Sequence, residues 1–326
     1  MLSRTLDSGD PALPLHAVSN DRLRLVFLPT VGGRLVSLRV DGRELLWHNP
    51  ALLDDELRAV VPRSSWPVVD GTFASWANVG GSKSWPAPQG WDGPDRWQGP
   101  PDAVLDSGEY AWRESPTDDG VQVSLTSADD PRTGLRIERR FEIPRAGAEF
   151  AETLALTNAS DHPVRWAPWE VCQVDIDTGA GAGAHGAAVV VAVEGALEPI
   201  HLGDHHGTLA TRRVDGHVEI PVQDAIGKRG FADATGSIAW RGPDGEGLEL
   251  RFEPVPHAEY PDHGSRAEVW MQAPLPDPLP SLSGMRVDAR LTELEVLGPL
   301  VTLEPGASTE LGIRWIARST TRSATR

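Results

Sequence analysis

LRLVFLPTVGGRLVSLRVDG (residues 23–42) decides the fold class. Its two apolar runs, 23–29 and 33–40, alternate at the two-residue period of a half-buried strand. Thr30-Val31-Gly32 separates them, and an Asp41-Gly42 turn signal follows. Outward from this pair the pattern recurs in VQVSLTS (121–127), LRIERRFEI (135–143), FAETLALTN (150–158), AAVVVAVEG (187–195), GSIAWRG (236–242), LELRFEPV (248–255) and LTELEVLGPLVTL (291–303). Turn chemistry such as SDHP, GPDGEG and EPGAS lies between the runs. Only ALLDDELRAV (51–60) reads as a helix, and 33 Gly with 28 Pro argue against long helices elsewhere. The reading is an all-β, antiparallel protein of two large sheets packed face to face.

The 326 residues show no tandem repeat and no linker dividing the chain, so one domain is expected over 15–317, with a tail at 1–14 and a disordered tail at 318–326. GAGAGAHGAA (179–188) reads as a flexible surface loop. The formal charge of −17 argues against nucleic acid or an anionic membrane as partner. Cys172 is the one cysteine, so no internal disulfide is possible. The first twenty residues lack a signal-peptide apolar core, and no window approaches the length of a membrane span. A soluble, cytoplasmic location is the expectation.

WANVGGSKSWPAPQGWDGPDRW (76–97) is the stretch richest in candidate chemistry. It holds four tryptophans and Lys83, one of only two lysines among 30 basic residues. Sugar rings have apolar C–H faces and hydroxyl edges, which suit Trp faces joined to polar donors. The plainer reading is a Trp-stapled loop packed on the core. Trp85 is expected to stack on a sugar, and Asn78 and Gln89 to meet hydroxyls as amide donors and acceptors. The second lysine, Lys228 in the GKRG turn, is expected to converge with Lys83 on a hydroxyl-rich carbohydrate, including an acidic or phosphorylated one such as a uronate or sugar phosphate. Two solvated surface charges are the alternative.

GGRLVSLRVDGRELLWHNP (32–50) resembles the opening strands of the galactose mutarotase-like, or aldose 1-epimerase-like, superfamily. NVGGSKSWPAPQGW, EYPD with AEVW (259–270) and TELEVLGPLVTLEPG (292–306) look closer to a branch of that superfamily made of a domain of unknown function. The resemblance implies a β-supersandwich whose concave face binds a carbohydrate, with a late-chain glutamate as base and a mid-chain histidine as acid. Glu293 and Glu295 stand two apart in TELEV, so both face one side of a strand and are the candidate bases. An ordinary half-exposed strand has the same pattern.

The expected histidine is missing. The comparable position after Asn158 falls on Pro168-Trp169-Glu170. Trp169 is therefore expected to stack, Gln173 to contact substrate, and Glu170 to join the catalytic candidates. His162 reads as an exposed turn residue, His48 as structural or at a cleft entrance, and His257 and His263 as the remaining histidine acids. HLGDHH (201–206) lacks metal-ligand spacing, so no metal is expected. Without a Walker loop, a strand–helix GxGxxG or a GxSxG elbow, no cofactor or nucleophilic triad is expected, and Cys172 reads as inert core. The leading function is an epimerase-type enzyme; a carbohydrate-binding or sensing protein without turnover, and a lyase or hydrolase on an acidic sugar, are the alternatives.

Overall fold

The computed structural model describes residues 1–89, 97–176, 186–275, 279–285 and 288–319. Two large antiparallel sheets face each other. Apolar positions alternate on strands such as Leu135–Pro144 and Ser308–Arg318, and their inward residues meet in one core drawn from both sheets. Phe150 stacks on Trp315 there, and Phe27 meets Phe141 edge-on across the sheets. This is the all-β supersandwich that the alternation predicts.

One sheet consists of strands Arg212–Val214, His217–Pro221, Ala188–Val193, Ala234–Arg241, Gly247–Phe252, Ser308–Arg318, Glu149–Asn158, Leu135–Pro144, Gly120–Thr126 and Ala111–Thr117 in spatial order. The other carries the candidate chemistry at its centre. Its adjacent strands Ser82–Ala87, Val164–Asp175, Leu291–Leu297, Ala267–Gln272 and Ile226–Phe231 are far apart in sequence and adjacent in space. The opening pair Leu23–Leu28 and Arg34–Val40 flanks them, and Asp41 and Gly42 both take positive φ, 50° and 86°, as a tight DG hairpin turn requires.

Gly80 and Gly81 bring the Ser82–Ala87 strand into this sheet. Both have positive φ, and a Cβ on either would sit 2.4 Å from a backbone oxygen, of Trp47 and Leu35 respectively. Only glycine tolerates that approach.

Three regions differ from the sequence reading. ALLDDELRAV is no helix but a series of turns: Leu57 takes φ 63°, and Asp54 Oδ1 accepts from the backbone of Glu56 and Arg58. An aspartate bonding its own downstream backbone competes with helix formation, and Leu53 and Leu57 are buried by turn geometry instead. The stretch expected as an N-terminal tail includes strand Leu2–Leu6, which pairs with Leu15–Ser19 as the sheet edge. Run 291–303 is two strands, Leu291–Leu297 and Val301–Leu303, broken at Gly298. The glycine-rich loop up to residue 185, and the C-terminal tail from 320, lie outside the described residues.

Candidate functional site

The five central strands present one continuous face because residues directly opposite in a ladder point the same way. One cross-strand row runs Gln173, Glu293, Trp270, Lys228. The next runs Lys83, Val171, Glu295, Glu268, Gly230. Above this face lies a cavity of about 390 Å³. That volume suits a small ligand of monosaccharide size. Trp76, Trp270, Phe73, Leu282 and Met285 supply its apolar walls, while Asn78, Gln89, Gln173, Lys228, Glu293 and Glu295 supply polar atoms.

Two ion-pair clusters occupy the floor. In the first, Glu293 Oε1 accepts from Lys83 Nζ at 3.1 Å and from Gln173 Nε2 at 2.7 Å. Lys83 is only 1% exposed and lies behind Glu293 rather than on the cavity wall, its ammonium 4.8 Å from the Trp85 ring centre. Burial pulls its pKa down, against the opposing pull of the Glu293 charge. In the second cluster, Lys228 Nζ stands 2.6 Å from Glu268 Oε2 and 2.8 Å from Glu295 Oε2. Glu295 Oε2 also accepts from Trp169 Nε1 at 2.8 Å. Burial pushes Glu295 up to about 8 and Glu268 up to about 7, against the pull of Lys228. Burial would lower Lys228, but the charges of Glu268 and Glu295 outweigh it and hold the lysine above its ordinary value.

Of the residues expected from the sequence, Asn78, Trp85, Gln89, Trp169, Gln173, Lys228, Glu293 and Glu295 line this one cavity. Glu170 does not. It follows Trp169 on a strand, so it points to the opposite face, where Ser82 Oγ, Ser84 Oγ and Arg139 surround it. Arg139 also pairs with Glu152 at 2.8 Å, so Glu170 belongs to a fully buried ion network between the sheets. Burial pushes Glu170 up to about 8 despite Arg139. Its expected place among the catalytic candidates is thus corrected to a core position.

Burial separates the tryptophans that line the cavity. Trp85 and Trp169 are 4% and 1% exposed, and the Lys228 ammonium sits 4.3 Å from the Trp169 ring centre. The half-buried rings on the cavity are Trp76 and Trp270. Asp106 fixes two of these side chains, accepting from Trp76 Nε1 at 2.9 Å and Trp85 Nε1 at 3.3 Å while paired with Arg34 at 2.7 Å. Trp270 and Glu268 were not singled out from the sequence; their two-residue spacing in AEVW carries the signal, once the face of that strand is known.

His263 lies on the cavity rim; His257 and His48 do not line it, and His162 is exposed in its turn. Asp262 and His263 hold consecutive left-handed conformations, φ 50° and 64°, in the segment bounding the cavity. Non-glycine residues in that region are strained, and such strain concentrates at binding segments. Cys172 is buried. Among the described residues no group of His, Cys, Asp or Glu has the arrangement of a metal site, and no helix is long and apolar enough to cross a membrane.

The comparisons with solved structures decide the fold. A galactose mutarotase-like protein from Clostridium acetobutylicum superposes with a TM-score of 0.55 over 98% of this chain and 99% of its own, at 10% identity. This chain has the galactose mutarotase-like fold. A second galactose mutarotase-like protein, from Lactobacillus casei, gives 0.52 over 93% and 100% at 13% identity. The Slr1438 protein of Synechocystis gives 0.59 over 98% and 96% at 12% identity. No family model and no curated protein matches the chain.

Proposed function

We propose that the cavity binds a carbohydrate of monosaccharide size and that the chain is an epimerase-type enzyme acting at the anomeric carbon. The observation that carries this reading is Glu293. It lies on the cavity floor with one oxygen held by Lys83 and Gln173, beside the ring of its ladder neighbour Trp270. A carboxylate fixed by two donors on Oε1 presents Oε2 as an acceptor for a sugar hydroxyl.

Glu293 takes the proton from the anomeric hydroxyl as Glu295 gives one to the ring oxygen. Side chains two residues apart on a strand stand about 7 Å apart, so the two carboxyls bracket one hemiacetal. Burial pushes Glu295 up to about 8, the direction that suits an acid, against the pull of Lys228, and a positioned pair contributes about 10²–10⁴-fold each. The C1–O5 bond then breaks to the open aldehyde, C1 rotates, and the reverse steps close the other anomer. The galactose mutarotase-like names of the neighbours in fold support the carbohydrate class.

The lysines argue against an acidic or phosphorylated substrate, because each already faces a carboxylate. Titration calorimetry with neutral hexoses and pentoses, on the wild type and on Trp270→Ala, tests the reading. Binding that weakens about tenfold or more in the variant supports it; no binding by any sugar contradicts it. Binding without anomer exchange would leave a sensing protein in place of an enzyme.

A further inference from the structure

Resting on the reading of Glu295 as the acid, we infer that Glu268 is a positioning residue: through Lys228 it decides whether Glu295 holds the proton that it gives to the sugar. Glu268 is fully buried and does not line the cavity, so it meets no substrate. It stands directly opposite Glu295 in the ladder. Lys228 reaches across from the next strand, where Gly230 stands opposite Glu268 with no side chain of its own. The ammonium lies 2.6 Å from Glu268 Oε2 and 2.8 Å from Glu295 Oε2, so one cation serves two buried carboxyls. The Trp169 ring, its centre 4.3 Å from Nζ, helps fix the ammonium between them.

The geometry also points to the oxygen of Glu295 that carries the proton. Oε2 accepts from Trp169 Nε1 at 2.8 Å and faces the Lys228 ammonium. Oε1 has no partner in the protein. The proton therefore resides on Oε1, where an O–H is a donor for the ring oxygen.

Charge among the three groups then governs that proton. Burial pushes Glu295 up most, Lys228 pulls it down, and the charge of Glu268 pushes it up again. With Glu268 neutral, the whole pull of Lys228 falls on Glu295, which must release its proton at lower pH. The other charged or titratable groups near Glu295 are Glu293 on its own strand and Lys83 beyond Trp169 and Gln173. At the rim stand Asp204, Asp262 and His263, of which Asp262 acts on Lys228 and Glu268.

The pH dependence of anomer exchange tests the inference, in wild type, Glu268→Gln and Glu268→Asp, each checked for an unchanged circular dichroism spectrum. An acid must be protonated, so exchange falls as pH rises through the Glu295 titration. In Glu268→Gln that fall should move to lower pH by about one unit or more, with KM unchanged. Glu268→Asp, which keeps the charge, should stay nearer the wild type. A lower kcat with the fall at its wild-type pH overturns the inference and leaves the sugar reading intact. Infrared titration of the buried carboxyl without sugar gives a second readout, the Glu295 band being the one that Glu295→Gln removes. That band should titrate at lower pH in Glu268→Gln and at higher pH in Lys228→Met. A band unmoved in both overturns the inference. If no sugar is turned over at all, the epimerase reading fails, and the infrared result still decides what Glu268 does to Glu295.

Discussion

The Lys83 ammonium lies 3.1 Å from the Glu293 carboxylate, with the lysine side chain 1% exposed and the glutamate 13%. The pair is asymmetric: the cation is sealed among tryptophan rings while the anion reaches the cavity. Lysine suits this place because its compact ammonium needs few partners, whereas a guanidinium presents five donors to satisfy.

Lys83→Met should therefore separate stability from chemistry. Glu293 keeps Gln173 and contact with the cavity, so the loss should be modest, about 1–3 kcal/mol in urea denaturation. Turnover should fall more than affinity, because the carboxylate loses the contact that fixes its orientation. Equal losses in kcat and in affinity would remove Lys83 from the positioning of the base.

The tryptophans should divide into two classes. Trp85→Ala opens a void in the packed core, and a cost of about 3–5 kcal/mol is expected in denaturant unfolding. Trp270→Ala, on a half-buried ring, should cost far less and act on sugar affinity. Reversed effects would return stacking to Trp85.

Stability should fall as pH rises from about 5 to 8. Glu295, Glu268 and Glu170 are pushed up to about 8, 7 and 8 by burial, so the folded state holds protons that the unfolded chain has released above its ordinary carboxylate value. Fewer protons bound in the unfolded state means a negative slope of stability with pH. The contribution is full below about 4.5 and is lost as pH passes through 7–8. Glu295→Gln should flatten that slope in thermal melts across the range; an unchanged slope would assign it elsewhere.

Arg139 is the counter-charge for two buried carboxylates, Glu152 and Glu170. Arg139→Leu leaves Glu152 uncompensated and strips Glu170 of the charge that draws its pKa down, and a loss of about 3–5 kcal/mol is expected. Adding Glu170→Gln should restore part of it, measured as a positive coupling in a double-mutant cycle.

Much of this architecture was legible in residues. The alternation at 23–40 predicts two antiparallel strands, and the spacing of Glu293 and Glu295 predicts a shared face. The same two-residue period separates Glu170 from Trp169 and Gln173, and grouping the three put Glu170 on the wrong side of its strand. Ladder neighbours were not legible. Glu268 and Lys228 meet Glu295 only because strands near residues 228, 268 and 295 lie side by side, which is a property of long-range pairing. The 51–60 segment misled for a local reason: its apolar spacing fits a helix, but Asp54 bonds the turn backbone instead.

Anomer exchange followed by saturation-transfer NMR, on wild type and Glu293→Gln with a sugar that calorimetry shows to bind, tests the central claim most directly. The account predicts accelerated exchange in the wild type, a fall of about 10²–10⁴-fold in the variant, and affinity largely retained. Exchange undiminished in Glu293→Gln would contradict it.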